Sequence, residues 1–163
     1  MWYSWLEFLH VLASFAFVFA HGASAVVALR LPRERALDRI RALLELAEAT
    51  RPGAQLSLGI ILITGIALGL LGGWWRMAWF WISLVLLAVV TFSMDRAADR
   101  IYAPLKRAVG LAYLEGARIH PPQDPLRPDE IAATLREVRP LPLFFAGYGS
   151  MVVMIALMVL KPF

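Results

Sequence analysis

The sequence predicts an all-α polytopic membrane protein, an antiparallel four-helix transmembrane bundle with amphipathic cytoplasmic helices. Three observations predict it. Of the 163 residues, 60% are hydrophobic and only 17% are charged, with a mean hydropathy of +0.67, a balance unlike that of soluble domains. Four stretches, about 5–29, 54–71, 77–94 and 143–160, are apolar enough to cross a hydrocarbon core, which takes about 20 helical residues. The connections 30–53 and 95–142 hold 14 of the 16 basic residues, leaving Arg76 and Lys161 on the other side. Basic residues next to spans are retained in the cytoplasm, so both termini are expected outside and both long connections inside. Trp2, Trp5, Trp74, Trp75, Trp79 and Trp81 then all fall near the outer interface, where tryptophan is enriched. One bundle makes one domain.

The elements follow in order. Ala23-Ser24-Ala25 resembles a signal-peptidase site, but residues 1–7 hold no Lys or Arg and so lack a basic n-region. The segment reads as the first span. Leu31-Pro32 ends it. Between Arg33 and Thr50, Leu37, Ile40, Leu43, Leu44 and Ala47 share one side while the charges lie elsewhere, the pattern of an amphipathic helix that lies on the inner leaflet or caps the bundle. Arg51-Pro52-Gly53 is expected to break it before the second span.

In that span Gly65, Gly69 and Gly73 recur every four residues, a spacing that lets backbones approach closely, within one bundle or across a homodimer. After the third span, Ala98, Ile101, Leu105 and Val109 keep helical spacing, so the helix is expected to run on despite Pro104. The proline-dense run from His120 to Pro128 is not helical. Asp129 is placed to cap a short helix through Val138, and His120 is expected at the surface without a chemical role.

Composition also excludes functions. The chain has no cysteine, so disulfides, thiolate metal sites and cysteine nucleophiles are ruled out. Neither a glycine-rich phosphate loop nor a zinc-protease helix motif is present, and no catalytic set is read. Acidic residues offset most of the loop charge, leaving a net charge of +4. Nucleic-acid binding is therefore a poor reading, and the expected surroundings are the lipid bilayer.

The chemistry-bearing feature is a stripe on the first span: Glu7, His10, Ser14, Phe17, His21 and Ser24, spaced three or four residues apart. These positions share one helix face. An ionisable group at mid-bilayer costs at least about 2.5 kcal/mol unless it faces the protein, so the stripe is expected to look inward. His10 and His21, eleven residues apart, are separated by about 16 Å along the axis and cannot share one ion. Glu7, one turn before His10, is placed to fix its tautomer. The other spans hold no histidine, but Met151, Met154 and Met158 share a face of the fourth. By depth, Met151 is expected level with His21, and Met154 or Met158 with His10. A His/Met pair suits a haem iron or copper(I), whereas packing alone is the plain alternative for methionines at this spacing.

Trp5-Leu-Glu-Phe-Leu-His10-Val-Leu, Gly22, the arginine-rich connection, Thr64-Gly65 and the tryptophan-led third span resemble an uncharacterised bacterial family of four-helix integral membrane proteins. That family is in turn similar to the copper-resistance D type and to the haem-binding HemJ type. The likeness covers roughly residues 5–115. It implies the bacterial inner membrane, and it matches His10 to the first-helix haem ligand of the HemJ type. Ile82 and Ser83 stand where those proteins carry a lysine.

Three functions follow as expectations. The first is a b-type haem-binding or electron-transfer protein, with His10, His21, Glu7, Met151 and Met154 around the cofactor. A copper-handling protein using His10, His21, Met151, Met154 and Met158 is the second. The third is a structural or assembly subunit whose polar seam only packs helices.

Overall fold

The computed structural model describes residues 1–115 and 118–162. Five α-helices and one small hairpin follow in order: α1 (Trp2–Arg30), α2 (Leu37–Leu71), α3 (Ala78–Ala108), β1 (Tyr113–Glu115), β2 (Arg118–His120), α4 (Pro128–Glu137) and α5 (Pro140–Leu160). Four helical segments are long and apolar enough to cross a membrane. Their outer faces carry large apolar side chains in the open, such as Phe19 at 82% and Ile63 at 70% exposure. Such surfaces suit lipid and not water.

Pro32 closes α1 with one 3-10 turn, Leu31–Arg33, after which Glu34 is extended. The Glu34 carboxylate accepts the backbone N–H of Arg35 at 2.8 Å and of Ala36 at 3.1 Å. These two bonds hold its carboxyl below the usual carboxylate range. The expected break at Pro52 does not occur: α2 runs through it for 35 residues. A proline leaves the carbonyl four residues back unpaired and crowds that turn. Here the chain is braced on both sides of the turn. The Thr50 hydroxyl donates to the Ala47 carbonyl at 2.9 Å, and Arg51 reaches Asp99 on α3 at 3.2 Å.

The α2–α3 link turns at Gly73, whose φ of +68° favours glycine. The third helix does continue past Pro104 to Ala108, as its spacing predicts. Gly110 then takes φ +80°, and a side chain there would strike the Gln123 carbonyl. The antiparallel β1–β2 pair, with Tyr113 opposite His120, departs from the all-α expectation. His120 is half-buried and its ring stacks on Tyr113 at 4.7 Å. The short helix is present, but its N-cap is Arg127 and not Asp129. Glu130 reaches back to accept the Arg127 N–H at 3.2 Å, which fills the role expected of the aspartate.

The long helices form two pairs. α1 meets α2 through His10 with Thr64 and through Ser24 with Thr50, both at 2.8 Å. The two contacts are fourteen residues apart on either helix, so α1 and α2 run in opposite directions without slippage. α3 packs on α5, with Met94 beside Gly147. The pairs meet at the tryptophan end through Gly69 of α2 against Phe80 of α3. At the far end a dry core joins Val27 and Leu31, Ile40 and Leu44, Leu105 and Val109, and Ile131 and Leu135. The apolar face of residues 33–50 therefore caps the bundle. At the opposite end Lys161 Nζ lies 4.4 Å from the Trp74 ring, a cation held over an aromatic face. Trp79 is buried beneath them.

Candidate functional site

The stripe on α1 faces α2 and α5, and it divides into an outer contact and an inner cavity. His10 Nδ1 lies 2.8 Å from Thr64 Oγ1. The Thr64 hydroxyl has one hydrogen, and the Ile60 carbonyl takes it at 2.6 Å. His10 then donates from Nδ1 to the Thr64 oxygen. Gly65 makes room for the ring: a Cβ there would stand 3.3 Å from His10 Cε1. The same logic recurs lower down, where Thr50 donates to Ala47 and so accepts from Ser24. Ser14 bonds back to the His10 carbonyl and needs no partner on another helix.

Glu7 is exposed. The partner that orients His10 is Thr64, in place of the expected glutamate.

His21 is different. Its ring stacks on Phe17 with centroids 5.5 Å apart, and Tyr148 lies at the same distance on a tilt. Its Nε2 comes 3.2 Å from the point where a Cβ on Gly147 would be, and the Met94 methyl comes equally near that point. Nε2 and that methyl are therefore no more than 6.4 Å apart. No hydrogen bond reaches the His21 ring nitrogens among the described residues. They look into a cavity of about 300 Å³ between the two helix pairs, lined also by Met151 and Met154. Apolar walls come from Phe17, Leu58, Leu87, Val90, Leu143 and Phe144.

Comparison of the chain with protein-family models, with curated proteins and with solved structures finds no match. The site is thus read from its own geometry.

The cavity widens toward the end away from the tryptophans, where charges ring it. Arg51 pairs with Asp99 at 3.2 Å and with Asp95 at 3.8 Å, and Lys106 pairs with Glu48. These pairs tie α2 to α3 across the opening. Among the described residues no group of three His, Asp or Glu is gathered as a metal cage. In its apolar part the cavity offers the His21 imidazole and the thioethers of Met94, Met151 and Met154.

Of the residues singled out in the sequence, His21, Met151 and Met154 come together. His10 stands apart at the α1–α2 contact, and Met154 lines the cavity of His21 instead of pairing with it. Met158 is 37% exposed and is absent from the lining. Gly65 and Gly69 face His10 and Phe80 of the same chain, so a second copy would have to dock elsewhere or displace those rings. Met94 was not anticipated. Leu87, Thr91, Met94 and Ala98, at spacings of four, three and four, trace the inward face of α3 that carries the missed thioether.

Proposed function

We propose that the chain is an integral protein of the bacterial inner membrane, an antiparallel four-span bundle with both termini outside, that binds haem b for electron transfer. The observation that carries this reading is the His21 imidazole, with no hydrogen-bond partner among the described residues, on a largely apolar cavity that Met94, Met151 and Met154 also line. Imidazole and thioether are the donor types that hold haem iron in one-electron carriers. The aromatic and aliphatic walls suit a flat apolar macrocycle. Bound there, haem would take up and release single electrons. The protein's own part is to present His21, exclude water with Phe17 and Phe144, and shield the group from lipid.

This reading moves the ligand from His10, which the resemblance favours, to His21. Gly65 leaves the His10 ring only the width of a helix contact. The absorption spectrum of detergent-purified protein from haem-supplied cells tests the proposal. A Soret band lost in His21→Ala supports it; colourless wild-type protein refutes it.

A second reading is favoured by the number of thioethers. An imidazole with methionine sulfurs suits copper(I). Metal analysis of the same preparation separates the two. Protein free of both haem and copper leaves the seam as helix packing in a structural subunit. The orientation is tested by single cysteines, since the chain has none: Ser4→Cys is expected to react with an impermeant maleimide from outside, and Ala133→Cys only after permeabilisation.

A further inference from the structure

A second hollow, of about 570 Å³, lies beside the His21 cavity and shares Ile101 and Leu143 with it. It runs between α3 and the start of α5. Arg96 and Arg100, one turn apart on α3, and Arg139, the N-cap of α5, line its rim together with Glu137. Three cations against one carboxylate leave the rim positive. Among the described residues none of these arginines joins an ion pair. The Arg96 guanidinium lies flat over Phe92 at 3.8 Å, which holds it at the groove without using up its N–H donors. The amino end of α5 has no side-chain cap, so the helix dipole adds positive potential at the same place.

Depth says what such a rim meets. Arg96 is eighteen residues along α3 from Ala78, about 27 Å at 1.5 Å per residue, against a hydrocarbon core of about 30 Å. The arginines therefore emerge at the level of the inner headgroups, with Phe92 and Leu143 on the acyl side of them. We propose that this groove binds an anionic phospholipid of the inner leaflet, its phosphate on Arg96, Arg100 and Arg139 and an acyl chain along Phe92 and Leu143. The inference rests on the membrane orientation proposed above but not on haem or copper. Basic pockets between spans on the cytoplasmic side recognise anionic lipid in this way.

The test is native mass spectrometry of the full chain in detergent, titrated with phosphatidylglycerol, phosphatidylcholine and inorganic phosphate. Phosphatidylglycerol is expected to bind at least tenfold more tightly than phosphatidylcholine. Each of Arg96→Gln, Arg100→Gln and Arg139→Gln is expected to lower its affinity about fivefold, while Arg118→Gln on the hairpin leaves it unchanged at equal melting temperature. Equal binding of the two lipids, or an unchanged affinity in the triple variant, overturns the site. Inorganic phosphate binding as tightly as the lipid overturns the lipid as its source. Alkaline carbonate extraction checks the underlying reading separately: protein released without detergent refutes membrane insertion, whereas retained protein with no lipid preference refutes the groove alone.

Discussion

His21 Nε2 stands 3.2 Å from the place a Cβ on Gly147 would occupy, and the Met94 methyl stands equally close to that place. A side chain at 147 would therefore press on both the imidazole and a thioether. The ring is pinned by Phe17 and Tyr148, so the methionine must yield. Gly147→Ala is expected to fold, helped by up to about 1 kcal/mol of helix propensity, but to lose pigment severalfold per mole of protein. The ratio of Soret to protein absorbance, read beside the melting temperature, checks this. An unchanged ratio would separate Gly147 from the site.

The His10–Thr64 bond is a packing contact in this account. Thr64→Val and His10→Phe should each destabilise the protein by about 1 kcal/mol, with a coupling between them of about 0.6 kcal/mol, the usual size for hydrogen bonds between membrane helices. Unfolding of both single variants and the double variant in detergent measures it. Pigment should survive in all three.

Glycines on α2 divide sharply by what faces them. A Cβ at Gly69 would lie 2.5 Å from the Phe80 ring, whereas one at Gly59 would meet nothing within 4 Å. Gly69→Ala is expected to cost about 1–3 kcal/mol through overpacking, and Gly59→Ala to stabilise by up to about 1 kcal/mol. Melting temperatures of the two variants should move in opposite directions.

Glu34 gives the link between α1 and α2 a pH dependence. Backbone N–H groups of Arg35 and Ala36 lower its carboxyl from an ordinary value of 4.5. A group lowered on folding adds stability above its ordinary value and loses it as pH falls through the lowered one. The difference in melting temperature between the wild type and Glu34→Ala should stay level above about pH 5.5 and narrow as the pH drops toward about 3. A difference that grows on acidification would contradict the bond.

Much of the fold was legible because its signals are local. Long apolar runs mark the spans. Leu37, Ile40, Leu43, Leu44 and Ala47 lie on one side, and that side is the one buried. The inward turn of both imidazoles followed from the cost of exposing them to lipid, and His10 and His21 do face protein.

Pro52 misled because the bracing of its turn comes from Ser24 and Asp99, far away in the chain. The paired strands 113–115 and 118–120 were missed since strands of three residues leave no periodicity to read. Within the site, His21 with Met151 and Met154 was foreseen. Met94 was not, because which face of α3 meets α5 is decided by tertiary packing.

The most direct measurement is the absorption spectrum of purified His21→Ala beside His10→Ala, both from haem-supplied cells and both matched to the wild type in melting temperature. The account predicts a Soret band in the wild type and in His10→Ala and its loss in His21→Ala. A band that survives without His21, or vanishes only without His10, would contradict it.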